Sequence, residues 1–88
     1  MTVEFLNSFS KDVDKILRKS DKLKLLKLIA QTEAAKELFD IPHIKKLVGH
    51  KNAYRVRLGD YRIGVFYELN KVVFARILHR KEIYKLFP

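Results

Sequence analysis

The chain has no cysteine. A disulfide framework and a thiolate metal site are both excluded, and a reducing cytoplasm is the natural compartment for such a protein. Acidic residues are scarce: ten Asp plus Glu stand against nineteen Lys plus Arg, a formal charge of +9. An excess of that size predicts an anionic partner, with nucleic acid or an acidic protein ranked ahead of a membrane surface. No apolar run approaches the roughly 20 residues that span a bilayer. The opening "MTVEFLNSFSKDVDK" alternates apolar and polar residues and carries acids early, so it does not read as a signal peptide. Only two prolines and three glycines interrupt the 88 residues, and no repeat, low-complexity tract or flexible linker is visible. With 48% of residues hydrophobic, the expectation is one domain, 1–88, around one core.

What is present has a clear order. Thr2 to Leu6 alternate as a short strand, and Asn7 or Ser8 is placed to cap a helix. Phe9, Val13, Ile16 and Leu17 fall at i, i+4, i+7 and i+8, a one-sided apolar stripe. Ser20 and Asp21 end that helix and cap a second one. Its inner face is Leu25, Leu28 and Ile29, and its outer face carries Lys22, Lys24 and Lys27. The second helix is expected to run to about Phe39, because Ile41-Pro42 blocks continuation.

From Tyr54 the period changes to two. Segments Tyr54 to Leu58, Tyr61 to Leu69 and Val72 to His79 are separated by the turn signals Gly59-Asp60 and Asn70-Lys71, which predicts an antiparallel meander. The tail "RKEIYKLFP" adds one helical turn. The fold class is therefore α+β: a short strand, a helical hairpin, a small antiparallel sheet and a C-terminal turn.

Tight two-residue turns fix the register. Leu58 faces Tyr61, Arg57 faces Arg62, Val56 faces Ile63 and Leu69 faces Val72; continuing, Ile63 faces Leu78 and Arg62 faces His79. Arg57, Arg62 and His79 then form a row across three strands, with Arg55 two residues from Arg57, on a face shared with Gly64, Phe66, Ala75 and Ile77. The opposite face, made of Tyr54, Val56, Leu58, Ile63, Val65, Tyr67, Phe74 and Leu78, lies under the helices. This register also puts Arg76 on the helix-covered face opposite Val65, which requires either a snorkelling side chain or a bulge in the third strand.

A single arginine on an open sheet face is ordinarily just solvated. Arginines placed directly opposite each other cost up to roughly 1 kcal/mol per pair, so folding alone gives no reason to align them. Phe66 among them suits a stacked base, or equally a seat for the C-terminal tail.

The pattern Tyr54-Arg55-Val56-Arg57-Leu58-Gly59-Asp60-Tyr61-Arg62-Ile63, followed by a strand ending "RILHRKEIY", resembles the RelE/ParE superfamily of bacterial type II toxins. The resemblance covers nearly the whole chain and implies a small toxin neutralised by a cognate antitoxin, acidic and partly disordered, that wraps it. Members of the RelE branch cleave mRNA in the ribosomal A site; members of the ParE branch poison DNA gyrase. In the RelE branch two basic residues on the first meander strand, one Arg on the next, and an Arg and a Tyr near the C-terminus carry the chemistry. The matching positions here are Arg55, Arg57, Arg62, Arg80 and Tyr84, with a shorter spacing between the last two than in the founding member. His79 stands where some ribosome-dependent members use a histidine. The first two positions are Arg where the founding member has Lys. An arginine holds phosphate in its planar fork but does not act as a base at neutral pH.

RNA carries its own nucleophile, the 2′-OH. Without cysteine, and with no carboxylate pair on the predicted face, a metal-free transesterification without any cofactor fits better than metal-assisted hydrolysis. Arg57, Arg62 and Arg80 are expected to hold the scissile phosphate. His79 is the expected proton carrier. Tyr84 stacks on a base, helps move a proton, or packs the tail. Lys45, Lys46 and Lys51, in the connection "IPHIKKLVGHKN", are expected to grip RNA without sequence preference, although a solvated face is the ordinary reading of such lysines. His43 and His50 have no partner visible in the sequence and read as structural or solvated. Two other functions use the same features: a gyrase inhibitor, which needs no phosphate cradle, and an RNA-binding module without chemistry.

Overall fold

The first hairpin turns on Gly59, whose φ of +59° suits a residue without a Cβ. It joins β3 (Ala53–Leu58) to β4 (Tyr61–Glu68), with Leu58 opposite Tyr61, Arg57 opposite Arg62 and Val56 opposite Ile63, the register expected from the turn. The computed structural model, which describes residues 1–88, places six further elements and a 3-10 turn around this hairpin. In chain order β1 (Thr2–Phe5), α1 (Asn7–Ile16) and α2 (Lys19–Ala34) precede the 3-10 turn at Leu38–Asp40 and β2 (Ile44–Lys46); β5 (Lys71–His79) and α3 (Ile83–Leu86) follow the hairpin. The sheet order is β1-β5-β4-β3-β2, antiparallel throughout except for β1, which runs parallel to β5. The α+β order holds, with β2 as an extra edge strand inside the "IPHIKKLVGHKN" connection. No helix is long and apolar enough to cross a membrane.

The helices cover one face of the sheet. Phe9 from α1, Leu17 from the bend after it, and Leu25 and Leu28 from α2 meet Val56, Ile63, Val65, Val72, Phe74 and Ile77 in one cluster. Phe9 packs edge-on to Phe74 with ring centroids 5.3 Å apart. Full burial of each Leu, Ile or Phe contributes about 1.5–3 kcal/mol.

Four local differences from the sequence expectation have physical causes. Leu6, in extended conformation, takes the N-cap position of α1. Ser8 lies inside the helix and donates instead to the Ala75 carbonyl. α2 ends at Ala34 rather than near Phe39, and Glu37 N–H to Asp40 Oδ2 closes the separate 3-10 turn that follows. The second hairpin turns on Leu69-Asn70, not Asn70-Lys71: both residues hold positive φ, +52° and +61°, so Glu68 pairs with Lys71. Finally, the β4–β5 ladder slips by one residue between Gly64 and Val65. Val65 pairs with Phe74, but Gly64 pairs with Arg76. The bulge reverses the facing of every later β5 residue.

The bulge is fastened to α1. Asp12 Oδ2 accepts from Arg76 Nε at 2.7 Å and from the Ile77 N–H at 3.1 Å, while Oδ1 accepts from Arg76 Nη2 at 3.1 Å. β1 pairs only as far as Phe74, so α1 supplies the partners for the free edge of β5 beyond it. Arg76 thus sits opposite Gly64 rather than Val65 and reaches a carboxylate on α1.

Candidate phosphate-binding site

The face of the sheet away from α1 and α2 is divided in two. One half is closed by the tail: Ile83 and Phe87 pack with Leu47, Ala53 and Ala75, joined by Phe66 and Leu78, as a second small core. Gly64 makes this closure possible, since a Cβ at that position would overlap the Phe87 ring. The other half is cationic. Arg57 and Arg62 are direct partners across β3 and β4; Arg55 lies opposite Gly64 on one side and Lys45 on the other.

The hairpin tip sets the Arg62 side chain. Its Nη1 donates to the carbonyls of Gly59 and Tyr61, both at 2.9 Å. Burial, then the fields of Arg55 and Arg57, pull Arg62 below the ordinary guanidinium value; Arg80 adds to this and Tyr84 opposes it. Arg62 therefore lies at the electrostatic centre of the group and remains a cation at neutral pH. Arg80 is held nearby by its backbone N–H, which donates to the Asp60 carbonyl at 2.8 Å. Tyr84, 62% exposed, presents its ring 6.0 Å from the Arg55 guanidinium.

Between α2 and the hairpin runs an open groove of about 560 Å³, lined by Lys24, Lys27, His43, Arg57, Arg62 and Arg80 among others, with no acidic side chain. A second hollow of about 380 Å³ lies across Arg55, with Lys45, His50, Tyr84 and Phe87 on its walls. No three His, Asp or Glu side chains come together as metal ligands. What the groove offers is a set of converging cations of the kind that binds phosphate oxygens, of which Arg62 is held by the turn carbonyls.

Of the residues singled out from the sequence, the structure brings together Arg55, Arg57, Arg62, Arg80, Tyr84 and Lys45. His79 is not in the row. The bulge places it opposite Tyr61, with its ring centroid 6.4 Å from the Tyr61 ring, its Nδ1 accepting the Lys81 N–H, and its side chain lining a neighbouring hollow with Arg18, Asp21 and Lys24. Leu78 takes the place opposite Arg62, and Ile77 turns into the main core. Phe66 lies against Phe87, ring centroids 5.1 Å apart, so the tail is its main neighbour. Lys46 faces Tyr54, 5.1 Å above its ring, and its Nζ donates to the carbonyls of His50 and Lys51 at 2.9 and 2.8 Å; it braces the β2–β3 loop. Lys51 is exposed on that loop. The structure also brings His43, which the sequence left without a partner, to the groove wall. It holds φ +57° just before β2, and its Nδ1 lies 3.4 Å from Arg57 Nη2.

Comparison with known proteins identifies the family and the fold. Residues 3–84 match the family model of the ParE toxin of type II toxin–antitoxin systems, parDE. The chain is 39% identical over 92 residues to Toxin RelE3 of Methanocaldococcus jannaschii, covering 100% of both sequences. Among solved structures it resembles the RelB–RelE antitoxin–toxin complex from Methanococcus jannaschii, with a TM-score of 0.81 and 34% identity, covering 97% of this chain and 99% of that one. The archaeal RelE–RelB complex from Pyrococcus horikoshii shares the fold, with a TM-score of 0.73 at 21% identity over 93% of this chain and 97% of that one. The strand–helix–helix–sheet order, the arginine-bearing hairpin and the full-length identity converge: the chain belongs to the RelE/ParE superfamily and is a toxin of the type II toxin–antitoxin class.

Proposed function

We propose that this toxin cleaves mRNA on the ribosome by a metal-free transesterification in which the ribose 2′-OH attacks the adjacent phosphorus. The observation that carries the reading is the convergence of Arg57, Arg62 and Arg80 on one groove without a single acidic side chain. A pentacoordinate phosphorane carries more negative charge on its oxygens than the ground-state diester. Donors already fixed at that place stabilise it without reorganising. Arg62 is fixed in this way by the two turn carbonyls. Arg55 and Tyr84 form the adjoining edge, where a base can stack on the exposed ring. Lys45 extends the cationic surface along β2.

The partner that silences the toxin is read the same way. The similar structures from Methanococcus jannaschii and Pyrococcus horikoshii are complexes with RelB antitoxins. A chain of charge +9 suits an acidic antitoxin that orders as it wraps the protein. Both encounters belong in the cytoplasm, where ribosomes are.

The test is primer extension on an mRNA in a defined translation mixture, with purified protein and with ribosomes present or omitted. New 5′ ends at A-site positions that vanish without ribosomes are expected. The match to the ParE family model favours one second reading, inhibition of DNA gyrase. Intact mRNA in both arms, together with loss of supercoiling in a gyrase assay, would establish that reading instead.

A further inference from the structure

The geometry points to His43 as the proton acceptor of the groove. This role rests on the ribonuclease reading and supplies the group that reading lacks, because arginines bind phosphate but take no proton. His43 is held at φ +57° outside any hairpin turn. Few residues with a side chain adopt that conformation, and those that do cluster at functional sites. The consequence is an imidazole on the groove wall with Nδ1 3.4 Å from Arg57 Nη2.

Arginine has donors only, so the nitrogen facing it carries the lone pair and the ring hydrogen resides on Nε2. The basic nitrogen therefore points at the guanidinium assigned to the phosphate. The charged groups around His43 are Arg57 from β3, Lys24 and Lys27 from α2, Arg62 from β4 and Arg80 after β5; all are cations. No carboxylate lines the groove to compete for the proton. His79 has its Nδ1 occupied by the Lys81 N–H and lies in the neighbouring hollow, and His50 lies in the hollow beside Tyr84.

The step balances as follows. A phosphodiester on Arg57 and Arg62 brings its ribose 2′-OH to Nδ1 in place of the long Arg57 contact. Nδ1 takes the 2′-OH proton as the O2′–P bond forms. The P–O5′ bond breaks, its electron pair leaves on O5′, and O5′ takes a proton from water. The hydroxide so formed recovers the proton from the imidazolium. The products are a 2′,3′-cyclic phosphate and a 5′-hydroxyl.

The experiment is single-turnover cleavage of ribosome-bound mRNA by wild type, His43→Asn and His43→Gly, with affinity for the ribosome measured in parallel. Both substitutions tolerate the left-handed backbone, so the fold is retained. A loss of about 100-fold or more in the cleavage rate is expected, with affinity within about threefold of wild type. Imidazole added to His43→Gly is expected to restore part of the rate, and imidazole added to wild type is expected to change nothing. A His43→Asn protein that cuts within about threefold of wild type overturns the role and leaves the ribonuclease reading standing. So does an outcome in which His79→Asn alone abolishes cleavage. A wild-type protein that cuts nothing removes the ribonuclease reading and this role with it.

Discussion

Phe87 occupies the space that a side chain at Gly64 would need. Gly64 is buried in the middle of β4, where φ is not positive, so contact with the tail explains this glycine and backbone freedom does not. Through it the tail is held on the sheet, and Tyr84, one residue after the buried Ile83, is held over Arg55.

Gly64→Ala is therefore expected to loosen the tail. Overpacking of this kind costs about 1–3 kcal/mol, measurable by urea unfolding, and residues after Arg80 should become sensitive to protease. If the glycine acts on activity through Tyr84, the Gly64→Ala and Tyr84→Ala losses will not add in the double variant.

Arg62→Leu is expected to abolish toxicity while leaving the protein folded. Removal of one of two directly opposed cations should also raise stability, by up to about 1 kcal/mol. Added salt should stabilise wild type more than the variant, because it screens a repulsion the variant no longer has. Urea unfolding at low and high salt checks both statements. Equal salt responses would show that the arginines do not strain the sheet.

Asp12→Ala should cost about 2–3 kcal/mol, since it strips hydrogen-bond partners from both Arg76 and the buried Ile77 N–H. The Asp12 hydrogen bond is the largest influence on Arg76 and raises it above the ordinary guanidinium value. A group raised on folding contributes stability that is complete below its unfolded value and is lost only as pH climbs through the folded one. The Arg76 contribution is therefore level from pH ~6 to ~9. Unfolding curves across that range test it.

Lys24→Ala with Lys27→Ala should weaken single-stranded RNA binding about equally for all sequences. If both lysines contact phosphates, the slope of log affinity against log salt falls by about 1.4 in magnitude. An unchanged slope would remove α2 from the binding surface.

The arginine face was legible in the sequence because Gly59 fixes the tip of the first hairpin, and from the tip the positions of Arg55, Arg57 and Arg62 follow by alternation alone. The second hairpin was less so. Leu69, 92% exposed and left-handed, carries no turn signal, and Asn70 next to it marks the turn one residue late. That error moves β5 by two residues and preserves its facing up to Phe74; the bulge beyond Phe74 does not, and His79 leaves the row as a result. The bulge is held by Asp12, more than sixty residues away in sequence, a contact that local propensity does not encode. β2 and His43 were hidden for a related reason. Three residues near a proline make too short a strand to show a period, and no turn signal in the local sequence marks the left-handed φ at His43.

The parallel pairing of β1 with β5 joins Thr2 to Lys71 and Phe5 to Phe74. The first strand made by the ribosome waits for the last before it has a neighbour. The arginine groove likewise draws on α2, the hairpin and Arg80 beyond β5. Until β5 and Arg80 have been made, the chain has neither a closed sheet nor the full set of cations around the groove.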